Sequence, residues 1–183
     1  MQAAVDSAPA GLEDFDEVVR LHWVRVYRFM LASVRDPDAA QTLTQDCFLR
    51  AWRARGRFLG LSTVNTWLMQ IAVNLVRDFG RNRRLQFWKR VATAAVDLGD
   101  AGERLRDTAV SPEAHAVLKE QVQVVWQTCG SLPERQRTVF LLRFVEDMDL
   151  LEIAAATGMR EGTVKVHLFR ALEAVRKKLG RSI

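Results

Sequence analysis

The spacing of residues 132–179 leaves this part of the chain few folds to adopt. From Leu132 it reads Leu-Pro-Glu-Arg-Gln-Arg, followed by the apolar run Val139-Phe140-Leu141-Leu142. Glu152-Ile153-Ala154-Ala155-Ala156-Thr157-Gly158-Met159 comes next, and Glu161-Gly162-Thr163-Val164-Lys165 opens a basic helix that ends near Leu179. A short helix, a glycine turn and a second helix with a cationic face make a helix-turn-helix, which seats its second helix in the DNA major groove. Ala154 is small enough to let the two helices approach. Gly158 supplies the positive backbone angle of the turn, and Val164 anchors the second helix on the first. On the last helix, Val164, Leu168, Ala171 or Leu172, Val175 and Leu179 form the apolar stripe, and Lys165, Val166, Phe169 and Arg170 lie off it.

Upstream, the same helical period recurs. Phe15, Val18, Val19, His22, Val26, Phe29 and Met30 mark a first helix starting after Leu12 or Asp14. Asp36-Pro37-Asp38 breaks it, and Pro37 suits the first turn of a second helix that carries Leu43, Cys47, Phe48 and Ala51 inward. Gly56 and Gly60 bracket a loop reaching about Thr63. A third helix follows, with Val64, Trp67, Leu68, Ile71, Ala72, Leu75 and Phe79 on its apolar side. Glycine and proline are sparse and strand-like alternation is nearly absent, so the fold class is all-α. The 183 residues suit two small helical domains joined by a flexible linker. Their expected bounds are a disordered tail at 1–12, a first domain at 13–90, a linker at 91–111 and a second domain at 112–183. The linker is locally acidic through Asp97, Asp100, Glu103 and Asp107, and Ser111 caps the helix that follows it.

The net charge of +5 admits a polyanionic partner. Its clustering says more. Arg77, Arg81, Arg83, Arg84, Lys89 and Arg90 face a single acid, Asp78, over residues 77–90. Guanidinium forks hydrogen-bond phosphate oxygens in pairs. The residue pattern alone is equally compatible with a solvated helix end. The sequence holds no glycine-rich phosphate loop, no nucleophile motif and no histidine–carboxylate pair at metal spacing. No catalytic residue, metal site or cofactor is therefore expected. Cys47 and Cys129 read as small apolar residues of helix faces. No apolar run is long enough for membrane insertion and residues 1–12 lack a signal-peptide pattern, so a cytoplasmic location is expected.

The motifs resemble those of bacterial RNA polymerase sigma factors. Residues 132–179 are similar to sigma region four. Gln45-Asp46-Cys47-Phe48-Leu49-Arg50-Ala51-Trp52 and Thr66-Trp67-Leu68-Met69-Gln70-Ile71-Ala72-Val73-Asn74-Leu75 are similar to two helices of region two. Order, spacing and short length point to the extracytoplasmic-function group.

The resemblance implies an alternative sigma factor that binds core RNA polymerase, directs it to specific promoters and stabilises the melted strand, under an anti-sigma factor. It assigns residues accordingly. Gln45, Asp46, Leu49 and Arg50 would meet the polymerase. Phe58, Gly60, Leu61, Ser62, Thr63 and Asn74 would hold the melted minus-ten element, with Leu59 and Leu61 departing from the family's usual charged and small residues. Arg77, Arg81, Arg83 and Arg84 would contact the DNA backbone. Arg160, Thr163, Lys165, Val166, Phe169 and Arg170 would meet the minus-thirty-five duplex. A stand-alone helix-turn-helix regulator accounts for residues 132–179 alone and leaves the two upstream motifs unexplained.

Overall fold

The computed structural model describes residues 14–93 and 124–180, the side chains of 84–93 excepted. The expectations for the tail at 1–12, for the acidic residues of the linker and for the cap at Ser111 lie outside these residues. No strand occurs among the described residues.

Helix α1 spans Phe15–Val34. The Asp14 carboxylate accepts from the Glu17 N–H at 3.1 Å and so satisfies one of the free amides of the first turn. The helix stops at Arg35, which closes it in the left-handed conformation at φ 59°. Helix α2 spans Pro37–Ala54, with Asp36 as cap and Pro37 in its first turn, where the missing N–H costs no bond. A 3-10 turn, Arg55–Arg57, leads into the loop. The Thr63 hydroxyl accepts from the Thr66 N–H at 3.1 Å and starts α3, which spans Val64–Thr93. Helix continues three residues beyond position 90, where the periodicity had suggested a linker.

The second domain begins with helical residues 124–131, called α4. Helix α5 spans Glu134–Phe144, α6 Leu150–Thr157 and α7 Glu161–Leu179. A capping box opens α6. The Asp149 side chain accepts from the Glu152 N–H at 2.8 Å, and the Glu152 carboxylate accepts from the Asp149 N–H at 2.9 Å. Gly158 ends α6 at φ 69°.

Val26, Phe29, Met30, Cys47, Ala51, Leu68 and Ala72 fill the core between α1, α2 and α3. Val139, Leu141, Leu142, Ile153, Val164, Ala171 and Val175 fill that of α5–α7. Each large side chain so buried contributes about 1.5–3 kcal/mol. Thr44, on the inner side of α2, donates from its hydroxyl to the Ala40 carbonyl at 2.7 Å and so carries no free polar atom into the core. Cys47 and Cys129 are both buried, and burial pushes the Cys47 thiol up to about 12.

Helix α3 buries more than the single stripe its sequence suggests. Thr66, Met69, Val73 and Val76 are buried as well. They lie about a quarter-turn or more round the helix from Leu68 and Leu75. The second face is covered by the other domain, because α6 packs along α3 and α5 meets α1. Thr66 donates to Glu152 at 3.4 Å. Near the far end, Gly80 faces the Glu134 carboxylate. At the lower end of α1, the Arg35 guanidinium lies against Gly130, where any side chain would collide with it.

Candidate nucleic-acid interface

The outer face of α7 is the clearest candidate. Val164, Ala171 and Val175 point inward and hold the helix on α5 and α6. Their spacing leaves Lys165, Val166, Phe169 and Arg170 on the outside. Val166 is 47% and Phe169 63% exposed, an apolar pair that no neighbouring helix covers. Lys165 is held by Glu161 one turn earlier, Nζ to Oε1 2.6 Å. Arg160 stands at the N-cap position with its side chain exposed, and Thr163 is half-buried in the first turn. His167 is half-buried beside Pro133, Glu134, Arg135 and Gln136 of the neighbouring turn and Arg77 of α3. Burial, then the charges of Arg135 and Arg170, hold its imidazole below the usual histidine range.

The loop before α3 is the second candidate. Gly60 takes φ 69° with open space around it, so the positive angle, not crowding, favours glycine there. This turn presents Leu59, 77% exposed, and Leu61, 88% exposed, outward. Ser62 and Thr63 are also exposed. Phe58 faces the other way: it is buried, its ring centroid 5.0 Å from that of Trp67. It pins the loop to α3 and is not free to stack on a base. Trp67, read from sequence as a core residue, is partly buried against that core.

Asn74 sits half-buried on α3, and its amide oxygen accepts from the Arg77 guanidinium. Arg81 follows one turn later and pairs with Asp78 at 3.2 Å. Asn74, Arg77 and Arg81 thus form one file at three- and four-residue spacing. Arg83 lies off this file, its guanidinium 5.9 Å from the Phe79 ring. Arg84 is in the helix, with its side chain outside the described residues.

On α2, Gln45, Leu49 and Arg50 are exposed and Asp46 is half-buried beside them. Asp46 and Arg50 form an ion pair at 3.0 Å. Trp52 extends this face, packed edge-on against Phe15 at 5.2 Å with the Arg55 guanidinium 3.4 Å over its ring.

Profiles of two conserved regions fit the chain: sigma-70 region 2 over residues 18–86 and sigma-70 region 4 over residues 123–175. The RNA polymerase sigma-H factor of Pseudomonas aeruginosa is 33% identical over 170 residues, 90% of this chain and 86% of that protein. The chain belongs to the sigma factor family. The extracytoplasmic-function sigma-E factor of Escherichia coli K12 is 34% identical over 139 residues, 75% of this chain and 72% of its own length. The extracytoplasmic-function factor SigW of Bacillus subtilis is 27% identical over 165 residues, covering 90% and 88%. With these relatives the chain falls in the extracytoplasmic-function group, whose members are initiation factors and not enzymes. The fold agrees. Sigma factor RpoE of Bartonella quintana, solved with the anti-sigma factor NepR, superposes with a TM-score of 0.75 at 21% identity, covering 92% of this chain and 98% of that one. CnrH, solved with the cytosolic domain of CnrY, gives 0.66 at 20% identity over 96% and 94%. As a sigma factor the chain binds core RNA polymerase and promoter DNA, directs initiation to specific promoters and supports their melting.

Proposed function

We propose that the two exposed faces divide promoter recognition between them. Lys165 and Arg170 of α7 donate to guanine edges or phosphates of the upstream duplex, and Val166 and Phe169 meet thymine methyls or sugars. Arg160 and Thr163 meet phosphate at the start of the same helix, where free backbone amides favour anions. The loop at Gly60, Leu61, Ser62 and Thr63, with Asn74, holds the melted downstream strand. An amide that both donates and accepts suits a base edge, and exposed leucines suit an unstacked base. Arg77, Arg81, Arg83 and Arg84 take the phosphates beside it. Gln45, Asp46, Leu49 and Arg50 form the polymerase-binding face.

The observation that carries this reading is the pair Val166 and Phe169. Two large apolar side chains are left exposed between two cations on a helix whose opposite side is held in the core by Val164, Ala171 and Val175. A solvated helix face gains nothing from such a pair, whereas a DNA groove wall does.

The chain is read as working in the cytoplasm, where polymerase is. No helix among the described residues is long and apolar enough to cross a membrane, which is consistent with that location. An anti-sigma factor is read as its regulator, by analogy with the complexes of RpoE and CnrH. Reconstitution tests the whole reading. Core polymerase loaded with this chain is expected to give run-off transcripts that neither component gives alone. A chain that binds duplex DNA tightly without polymerase, and gives no transcript with it, would instead be a stand-alone regulator.

A further inference from the structure

The loop before α3 offers a base very few polar side chains. Base edges are commonly read by guanidinium, amide or carboxylate groups. The loop sequence Phe58-Leu59-Gly60-Leu61-Ser62-Thr63 brings none of these. Phe58 is turned inward onto Trp67. The Thr63 hydroxyl is engaged at the start of α3, accepting from the Thr66 N–H at 3.1 Å and lying 2.9 Å from the Thr66 hydroxyl. What the loop does present is apolar. Leu59 and Leu61 flank Gly60, whose left-handed backbone turns the chain between them with open space around it. They are the two most exposed of the large apolar side chains described. Leucines left in water to this extent contribute little to folding.

Three features indicate what covers them. Arg53 and Arg57 are exposed just ahead of the loop, and no carboxylate among the described residues pairs with either. Arg55, between them, is already engaged: its guanidinium lies over the Trp52 ring and donates to the Trp52 carbonyl at 2.7 Å. Beyond the loop, Arg77 stands on α3 beside Asn74. Cations on both sides suit a phosphate-bearing strand, and leucines between them suit an unstacked base. Asn74 narrows the choice of base. A guanidinium only donates, so the amide atom facing Arg77 is the oxygen, and the NH2 is the group left open. An open NH2 calls for an acceptor on the base. Thymine carries the acceptor O4 next to its C5 methyl, the one apolar group on the edges of the four DNA bases.

We propose that Leu59 and Leu61 select thymine in the melted strand by burying its C5 methyl group. The proposal rests on the reading that this loop and Asn74 hold that strand; it adds which base they take and by which contact. Cytosine has the same ring size but lacks the methyl. It also carries an amino group where thymine carries O4, which sets donor against donor at Asn74.

The test uses holoenzyme assembled from the full chain and core polymerase. Short single strands of random sequence are selected for binding to it, with core polymerase alone run beside it. Enrichment of thymine at one position or more is expected. Each enriched thymine is then replaced in turn by deoxyuridine, which differs by the methyl group alone. At one position the replacement is expected to weaken binding about fourfold, the worth of one buried methyl group. Leu59 and Leu61 are exposed, so Leu59→Ala with Leu61→Ala removes no core packing. Holoenzyme with that double variant is expected to bind the thymine and deoxyuridine strands alike. A merely structural role for the leucines would not move this ratio. Equal binding of the two strands by the parent at every position overturns the proposal. So does a double variant that still tells them apart, or a selection that enriches other bases only. In each of these cases the holoenzyme still binds the strand, so the melted-strand reading survives. Holoenzyme that retains no more strand than core polymerase alone sinks that reading and the proposal together.

Discussion

The Asn74 amide oxygen accepts from the Arg77 guanidinium three residues on, so the side chain read as a base-holding group is already oriented by its neighbour. An amide fixed through its oxygen leaves its NH2 group free to donate. Asn74→Ala is expected to reduce open-complex formation more than closed-complex binding, since a flipped base exists only after melting. The loss should be about 1–3 kcal/mol. Permanganate reactivity of promoter thymines, compared with binding to the closed duplex, measures both. Equal loss in the two would place Asn74 outside the melted-strand site.

The Asp46–Arg50 pair makes a charge swap informative on α2. An exposed pair of this spacing stabilises a helix by only about 0.3–0.5 kcal/mol. Asp46→Arg should therefore leave thermal unfolding almost unchanged while weakening association with core polymerase. Asp46→Arg with Arg50→Asp restores the intrahelical pair and should still bind polymerase poorly. Co-purification of the swapped variant at the parent level would remove this face from the interface.

The helix-turn-helix depends on two local devices. Asp149→Ala removes the capping box at α6 and should cost about 1 kcal/mol of stability. Gly158→Ala forces a side chain onto a backbone at φ 69° and should cost a similar amount, about 1–2 kcal/mol, although the space around it is open. Denaturant unfolding followed by circular dichroism reads both. A neutral Gly158→Ala would mean that the turn relaxes to a different backbone.

Cys47 should be chemically silent in the folded chain. With its thiol pushed up to about 12 by burial, first of all, and by the Asp46 charge, the thiolate fraction at pH 8 is on the order of one in ten thousand. Cys129 is also pushed up by burial, against the pull of Arg137 and Arg35. Ellman's reagent is expected to react with neither thiol until denaturant is added. Rapid reaction of one thiol in buffer would show local opening at α2 or at the α4–α5 turn.

The sequence and the structure part company where a residue's partner is distant. The stripe of α7 and the turn at Gly158 were legible because helical period and left-handed glycine are local rules. The second buried face of α3 was not, because α3 packs against α6, some eighty residues on, and periodicity describes one face at a time. Glu146 was illegible for the same reason: its partners Arg25 and Arg28 lie on α1. Phe58 was placed with the recognition loop, but the ring turns inward onto Trp67, which loop position alone does not reveal. The capping box at Asp149 was different. Its Asp-x-x-Glu spacing ahead of an apolar run is a plain sequence signal.

The division of labour between α7 and α3 is most directly tested by run-off transcription with the Lys165→Ala, Arg170→Ala chain at moderate salt. Both side chains are exposed and away from Val164 and Val175, so folding and polymerase binding should stay near those of the parent. Transcription from promoters that need the upstream element should fall. Each lost phosphate contact should also flatten the salt dependence of holoenzyme binding by about one log unit per log unit of salt. A double variant that transcribes these promoters at the parent rate would contradict the placement of α7 in the groove.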